Sequence, residues 1–293
     1  MRITEREIII PATDYDLPGT LSSGQAFRWR EEHNSWIGVI GNHWVRLRSS
    51  SNSIIAEVAE PVTDWSWLVD FLQTHLELKS VLATFPKDEP LGNAIRACHG
   101  LRLLRQNPWE CLASFILSST KQIVQIQQIV ELLCIRFGEP VPVPPGHSPA
   151  YAFPSAMRLA AATEAELRDC KMGFRAPYLR ETARMIHSGE VILERLYGMD
   201  VDDARAELLK LPGVGRKIAD CVLLFAYGFQ AAFPVDVWVM KALQHLYFPK
   251  RRPSRKRLEK FTQTYFGPNA GYAQQYLFHY MRTKQVSRRS DRP

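Results

Sequence analysis

The pattern of hydrophobic and polar positions in residues 1–60 is typical of short β-strands. His43–Arg48 alternates apolar with polar positions, and runs rich in Trp, Ile and Val are separated by Asn34-Ser35 and Gly41-Asn42. Successive strand side chains point to opposite faces, and Asn and Gly favour tight hairpin turns. We therefore predict an antiparallel sheet over residues 1–60.

From Thr63 onward the apolar spacing becomes helical. Thr63 or Asp64 is a candidate N-cap, and the apolar positions after it share one helical face: Trp67, Phe71, Leu72 and Leu76. Phe85–Pro90 contains two prolines and interrupts this pattern, so the chain is expected to leave the sheet layer here.

Further helices follow, each with its own start signal. Asn107 before Pro108, with Glu110 after it, predicts a helix that ends near Ser119. Thr163 with Glu166 forms another capping box. The six prolines of Pro140–Pro154 predict an extended surface loop. The remaining predicted helices are Ile123–Phe137, Asp202–Lys210, Arg216–Phe229, Val237–Leu246 and one around Ala270–Thr283.

The predicted fold class is therefore α+β, with a small antiparallel β-sheet domain packed on a mostly α-helical domain. We place the sheet domain with its flanking helix at residues 1–88 and the helical domain at residues 89–293. The chain of 293 residues is 46% hydrophobic, enough for one large domain or two intimate ones. It has no internal repeat.

Composition excludes several classes of protein. No apolar run reaches the roughly 20 residues that a membrane span needs, and Met1–Arg6 is charged, so we expect neither a membrane protein nor a secreted one. Five scattered cysteines without CxxC spacing argue for a reducing compartment and against a structural zinc site or a disulfide framework.

Positive charge is concentrated at the C-terminal end. Residues 249–293 contain twelve Lys or Arg and only Glu259 and Asp291 as acids, a balance of +10, whereas the whole chain carries +7. A basic segment on a near-neutral body is typical of a protein that binds a phosphate backbone. A solvated tail that aids solubility is the alternative.

The most informative segment runs from Leu211 to Asp236 and begins L-P-G-V-G-R-K. Pro212, Gly213 and Gly215 predict a tight turn between two helices, where glycine adopts conformations closed to other residues and allows close approach. The amides of this turn and the start of the second helix make an anion site.

Lys217 and Asp236 are the candidate catalytic residues. Lys217 falls in the first turn of the second helix, where the helix dipole opposes a cation, and an amine held there partly out of water becomes a nucleophile. Asp236 supplies a carboxylate and is also an N-cap candidate; the two roles are compatible. The alternative for Lys217 is a surface lysine that binds a phosphate.

The segment resembles the helix-hairpin-helix, Gly/Pro-rich loop and catalytic aspartate of the DNA base-excision glycosylases, and Lys217 resembles the glycosylase/lyase branch. In that branch the 8-oxoguanine DNA glycosylase family is the most similar, and the hairpin is expected at about residues 202–229. Four more segments carry the resemblance: Ser23–Trp29, similar to the family's glycine-bearing strand, Leu104–Ser119, Gly173–Tyr178 and Ala273–Phe278. No cysteine follows Cys221, so the cluster-binding loop of some relatives is missing.

The resemblance implies a damaged-base pocket. Phe278 would stack on the extruded base, Gln274 would bind its Watson–Crick edge, Cys221 would form a wall, and the Gly24 carbonyl would accept the N7 hydrogen of oxidised guanine. Each residue also has an ordinary interpretation. Gly24 is then a turn glycine, Cys221 and Phe278 are core, and Gln274 lies at a rim.

The resemblance also implies contacts to the opposite strand and the backbone, with three departures. Arg175 and Phe174 match the arginine on the orphaned cytosine and the aromatic wedge. Thr120 replaces an asparagine that fills the vacated stack, Gln125 replaces a second cytosine-reading arginine, and Trp238 replaces a histidine. Backbone contacts are expected from Gly213, Val214, Gly215 and Trp238.

The sequence thus predicts a bifunctional DNA glycosylase/AP lyase that acts on oxidised guanine in duplex DNA, without a cofactor or metal. We expect a monomer in the nucleoid of a prokaryote or the nucleus of a eukaryote. A glycosylase for alkylated or mismatched bases is one alternative, although those relatives generally lack the lysine. A non-catalytic helix-hairpin-helix DNA-binding protein is the other.

Overall fold

A computed structural model describes residues 4–250 and 253–290, which form an antiparallel sheet beside a larger helical body. The strands are β1 Glu7–Pro11, β2 Arg30–Glu32, β3 Ser35–Ile40, β4 His43–Ser50 and β5 Ser53–Val58, with a short pair β6 Pro140–Val141 and β7 Ala150–Tyr151. The first five strands pair in the order β1-β5-β4-β3-β2, all antiparallel. The predicted sheet over residues 1–60 is confirmed.

Helices make up most of the rest of the chain. Their bounds are α1 Leu17–Ser22, α2 Ser66–Leu72, α3 Leu78–Ala83, α4 Glu89–Ala97, α5 Pro108–Leu117, α6 Ile123–Phe137, α7 Ala156–Ala161, α8 Glu164–Leu167, α9 Ala176–His187, α10 Val201–Leu209, α11 Arg216–Val222, α12 Val237–Tyr247, α13 Arg255–Thr264 and α14 Ala270–Ser290. Among the described residues, no helix is both long and apolar enough to cross a membrane. Arg251, Arg252 and Arg292 of the basic segment lie outside the described residues.

Two cores divide the apolar side chains. Alternate residues of β1 and β5, such as Ile8 and Ile54, pack with Leu68 of α2 in the core of the sheet layer. Most of the other buried apolar residues join the helical core, including Leu78 and Val81 of α3. The residues before position 88 therefore contribute to both cores, and the domain boundary at residue 88 stays a prediction.

The sequence predicted that residues 140–154 form an extended surface loop, but part of this segment is buried. Val141 and Ala150 pair as β6 and β7 and are buried against Ile37 and Trp44 of the sheet. Hydrophobic burial of that sheet face outweighs the local preference of prolines for an exposed loop.

The start signals at Asn107 and Thr163 are accurate, whereas several other features differ from prediction. The N-cap of α2 is Trp65, not Thr63 or Asp64, and α2 ends at Leu72, before the predicted Leu76. The Asn107 side chain accepts a hydrogen bond from the Glu110 amide at 3.1 Å, as an N-cap should. The second hairpin helix was predicted over Arg216–Phe229, but α11 ends at Val222, a π-helical turn follows, and Gly228 ends it at φ +77°. Gly24 lies on a bend between α1 and β2, not on a strand. The last helix continues beyond Thr283 to Ser290.

Candidate active site

The hairpin turn is held tightly against α9. Gly213 has φ +77°, and a Cβ atom at this position would lie 2.9 Å from the Cβ of Tyr178. The Thr182 hydroxyl donates to the Pro212 carbonyl at 3.1 Å. Both the left-handed backbone and the close approach require glycine here, so the turn has a fixed place relative to the helical body.

A buried ion pair ties the two hairpin helices together. Arg205 of α10 donates from Nε to Asp220 of α11 at 2.6 Å and also pairs with Asp202. Burial raises the pKa of Asp220, and the hydrogen bond from Arg205 opposes this rise. Breaking such a buried pair leaves an uncompensated charge, which is costly. The pair therefore fixes α11, the helix that carries Lys217.

Lys217 is the second residue of α11, in the first turn as predicted. Its Nζ donates to the Ser118 hydroxyl oxygen at 3.0 Å and lies 5.0 Å from the centre of the Phe115 ring. The Ser118 hydroxyl in turn donates to the Phe115 carbonyl at 2.7 Å. The hydroxyl proton is thus engaged, and a lone pair of Ser118 is left to accept from the amine.

Asp236 is the N-cap of α12 and faces Lys217. Its Oδ1 accepts a hydrogen bond from the Val239 amide at 2.8 Å. Burial raises the pKa of this carboxyl, while the Val239 amide and the charge of Lys217 oppose the rise. The predicted combination of cap and carboxylate is present, and the two candidate catalytic groups interact electrostatically.

Both groups open onto one cavity of about 420 Å³. Beside Lys217 and Asp236 it is lined by Ser118 at the end of α5, by residues of the turn before α6, and by Trp238, Phe278 and Arg282. A smaller recess of about 40 Å³ continues inward. Its lining contains all four predicted damaged-base residues, Gly24, Cys221, Gln274 and Phe278. The structure thus brings together the catalytic pair and the predicted pocket.

Gly24 is fixed at the cavity by side chains distant in sequence. The Gln25 side chain binds the carbonyls of Thr20 and Arg102 at 3.0 and 2.8 Å. Gln106 and Gln275 donate to the carbonyls of the two residues beside Gly24, at 2.7 and 3.1 Å. Gly24 itself has φ +78°, and a Cβ atom there would lie 2.5 Å from Cδ1 of Ile123. This bend therefore requires glycine and presents its backbone to the cavity.

The other pocket residues combine an unpaired polar atom with apolar walls. The buried Oε1 of Gln274 has no hydrogen-bond partner in the described part of the chain. Phe278 follows one turn later on α14, half-buried. Burial raises the pKa of the Cys221 thiol to about 12, so this residue is a neutral wall and not a competing nucleophile.

The predicted opposite-base residues are brought together only in part. Nη2 of Arg175 donates to the Thr120 hydroxyl at 2.6 Å, and its guanidinium lies 4.2 Å from the centre of the exposed Phe174 ring. Gln125 is exposed and accepts from the Gln122 amide at 3.0 Å at the start of α6. The Gln125 side-chain carbonyl is therefore engaged in capping α6.

Ser118 and Arg282 are polar residues of the cavity that were not identified from the sequence. Ser118 contacts Lys217 across 99 positions, and nothing local marks it. Arg282 lies four residues after Phe278, the same spacing that separates Gln274 from Phe278. This spacing on a predicted helix was a usable signal for Arg282.

A lysine and an aspartate at one cavity, one of them on a helix-hairpin-helix, define a DNA glycosylase with lyase chemistry. The comparisons with known proteins make this more specific. Residues 7–112 match the N-terminal domain of 8-oxoguanine DNA glycosylase, and residues 113–268 match the HhH-GPD superfamily of base excision DNA repair proteins. The chain belongs to the HhH-GPD superfamily and, in it, to the 8-oxoguanine DNA glycosylase family.

Similar proteins cover nearly the whole chain. A probable N-glycosylase/DNA lyase of Methanothermobacter thermautotrophicus is 31% identical over 93% of this chain and 95% of its own. The solved structure of MBOgg1 with a low affinity DNA ligand has a TM-score of 0.91, 32% identity and coverage of 97% and 98%. The solved structure of the Clostridium acetobutylicum 8-oxoguanine glycosylase/lyase is bound to duplex DNA with cytosine opposite 8-oxoguanine. Its TM-score is 0.86 at 29% identity, and the match covers 96% of this chain and 100% of that chain. The predicted family, fold class and enzyme class are confirmed, whereas the roles of individual residues stay predictions.

Removing the Ser118 hydroxyl should slow the lysine chemistry without unfolding the protein. Ser118→Ala deletes the acceptor that orients Nζ of Lys217, so we expect the single-turnover rate of Schiff-base formation to fall about tenfold, the effect of one such hydrogen bond. Ser118→Thr keeps the hydroxyl and should restore the rate. Ser119→Ala is the matched control, and equal rates in Ser118→Ala and wild type would contradict the positioning role.

Proposed function

We propose that this DNA glycosylase/lyase excises 8-oxoguanine from duplex DNA, with Lys217 as nucleophile and Asp236 as electrostatic partner. The observation that carries the proposal is the single cavity onto which Lys217, Asp236, Gly24 and Phe278 all open. A base in duplex DNA must be extruded from the helix stack to enter this cavity, as in other enzymes that act on bases.

Base recognition would use the cavity of about 420 Å³ together with the smaller recess. Phe278 stacks on the extruded purine, and the unpaired Oε1 of Gln274 accepts from a donor on its Watson–Crick edge. The Gly24 carbonyl accepts the N7 hydrogen that oxidised guanine has and guanine lacks. A buried acceptor left unpaired by guanine is a physical basis for rejecting it.

The chemical steps follow from the amine of Lys217 and the carboxylate of Asp236. The neutral amine of Lys217 forms a bond to C1′ as the bond from C1′ to the base nitrogen breaks, and the departing base takes up a proton. Asp236 stabilises the positive charge that develops on the sugar. The C1′–O4′ bond then breaks, O4′ takes up a proton, and a protonated imine forms between Lys217 and C1′. Loss of a C2′ proton expels the phosphate from C3′, and the strand is nicked.

Borohydride trapping tests this proposal directly. Borohydride reduces the imine between Lys217 and the sugar to a stable adduct, so wild-type protein should be trapped on a duplex that carries 8-oxoguanine. Undamaged and alkylated duplexes are the comparisons. Adducts that form only on the alkylated duplex would favour the alternative substrate class, and DNA binding without any adduct would contradict the lyase mechanism.

Preference for cytosine opposite the lesion should be weaker than in a relative with two cytosine-reading arginines. Arg175 can supply a charge-assisted pair, whereas Gln125 is uncharged and its carbonyl caps α6. A charged hydrogen-bond partner contributes about 1.5–3 kcal/mol. We expect measurable excision opposite adenine or thymine, and a tightening toward cytosine of about tenfold or more in Gln125→Arg.

Gln128→Arg is the matched control for this change, because it adds the same charge one turn further along α6. It should leave the opposite-base preference at the wild-type level. If wild type already discriminates stringently and Gln125→Arg changes nothing, then Arg175 alone reads the opposite base.

Three features of the proposal concern the whole protein. We infer action as a monomer, in the compartment that holds the genome, and a contribution of residues 249–293 to backbone binding. The exposed basic residues of α13, such as Lys256 and Lys260, support this last inference. A sedimentation measurement at working concentration tests the monomer.

A further inference from the structure

Arg282 is a half-buried cation whose hydrogen bonds are only partly satisfied. Its Nη2 donates to the Ser22 carbonyl at 2.9 Å. Its Nη1 is buried and has no hydrogen-bond partner, and Arg282 forms no ion pair in the part of the chain that the structure describes. Buried polar groups in native proteins are nearly always paired, so an unpaired guanidinium nitrogen needs an explanation.

The unpaired nitrogen lies at the base cavity. Arg282 lines this cavity together with Gly24 and Phe278. Its guanidinium carbon is 6.0 Å from the centre of the Phe278 ring, and Nη1 is 3.4 Å from the position a Cβ of Gly24 would occupy. Burial lowers the pKa of Arg282, which is consistent with loss of solvent around the charge. The free donor is therefore beside the two residues expected to hold the purine.

The helix geometry explains why the donor is available here. Gln274, Phe278 and Arg282 occur at successive four-residue intervals on α14, so they form one row along the helix. The bond from Nη2 to Ser22 fixes the guanidinium plane and directs the other nitrogen elsewhere. A purine stacked on Phe278 would therefore have its Watson–Crick edge toward Gln274 and its N7 side toward Arg282.

We propose that Nη1 of Arg282 donates a hydrogen bond to a carbonyl oxygen beside N7 of the extruded purine. This makes Arg282 a residue that binds the extruded base, and the inference rests on the proposed excision of 8-oxoguanine. An oxidised purine offers a hydrogen on N7 and a carbonyl oxygen on each side of it, at C6 and C8. The Gly24 carbonyl and the Arg282 donor match this arrangement of donor and acceptors.

The other acceptor within reach of a cation at a DNA site is a backbone phosphate. Nη1 is buried next to a glycine and an aromatic ring, whereas phosphates of bound DNA stay at the solvent edge. The burial therefore favours the base. The two acceptors are separable by experiment, because an abasic duplex keeps every phosphate and lacks the base.

The test compares two reactions of Arg282→Met. One is excision from a duplex with 8-oxoguanine, measured as single-turnover base release. The other is cleavage of the same duplex with a preformed abasic site. We expect base release to fall about 10- to 100-fold, as for loss of a charged hydrogen bond, while abasic cleavage stays near the wild-type rate.

Two further variants keep the result interpretable. Arg96→Met removes an exposed arginine of α4 and should leave both reactions unchanged. Arg282→Lys keeps the charge but has a single nitrogen, which cannot serve both acceptors, so it should give a smaller loss restricted to base release with an unchanged unfolding temperature.

Equal losses on both duplexes would assign Arg282 to a phosphate and overturn the proposal, as would no loss on either. If wild type itself releases no 8-oxoguanine, the proposed function fails. That result differs from the two outcomes that would overturn only the role of Arg282.

Discussion

Lys217→Gln is expected to abolish the trapped protein–DNA adduct and strand cleavage while DNA binding persists. The amine is the only group proposed to bond to C1′, and loss of a covalent nucleophile typically lowers turnover by about 10³-fold or more. Glutamine has a similar length and remains able to donate to Ser118, so the local structure should survive. The measurements are borohydride trapping, base release and equilibrium binding to the lesion duplex.

Lys79→Gln is the control for Lys217→Gln, since it removes an exposed lysine of α3 that does not line the cavity. This variant should trap at the wild-type level. Base release at full rate by Lys217→Gln would show that another nucleophile, such as water, displaces the base. The lyase assignment to Lys217 would then be wrong.

Asp236→Asn is expected to lower the rate of base release by about 10²- to 10³-fold, the usual effect of removing one electrostatic contribution to a transition state. Asparagine is as good an N-cap as aspartate and can still accept from the Val239 amide. The substitution therefore removes the charge and keeps the helix start. Asp236→Ala removes both, so it should also lower the unfolding free energy, by about 1 kcal/mol.

The pH dependence provides a second measurement on Asp236. Its active form is the carboxylate, and burial raises the pKa above the ordinary 3.8. As pH falls, the carboxylate is therefore protonated earlier than in an exposed aspartate, and base release should begin to decline at a higher pH. Asp236→Asn should lack this decline.

Asp200→Asn is a matched control for both measurements, because Asp200 is the N-cap of α10 and accepts from the amides of Asp202 and Asp203. It should leave the rate and its pH dependence unchanged. A wild-type profile with no decline above the usual aspartate range would contradict the buried carboxylate as the titrating group.

The sequence alone was sufficient to predict those structural features that depend on neighbouring residues. The strand signal at His43–Arg48, the cap at Asn107 and the box of Thr163 with Glu166 each involve neighbours within a few residues. The strand, the cap and the box are all present. The turn around Gly213 and the first-turn position of Lys217 depend on the same short range. These features follow from backbone sterics and helix-end hydrogen bonds, which nearby residues determine.

Resemblance to the 8-oxoguanine DNA glycosylase family allowed predictions about residues that are far apart in the chain. It grouped Gly24, Cys221, Gln274 and Phe278 as one pocket, and the structure places all four around the inner recess. Periodicity alone left Gly24 as a turn glycine and Phe278 as core. Nothing in a single sequence specifies which helices meet, so their grouping came from the family.

Tertiary structure alone decided the remaining features, because each depends on contacts between distant segments. The helix after Lys217 changes to a π turn and ends at Gly228, where a Cβ atom would overlap the Arg105 guanidinium. The bond from Lys217 to Ser118 spans 99 positions, and that from Arg282 to Ser22 spans 260. Such contacts form only when packing has placed the helices, and burial then determines which polar atoms remain unpaired for a substrate.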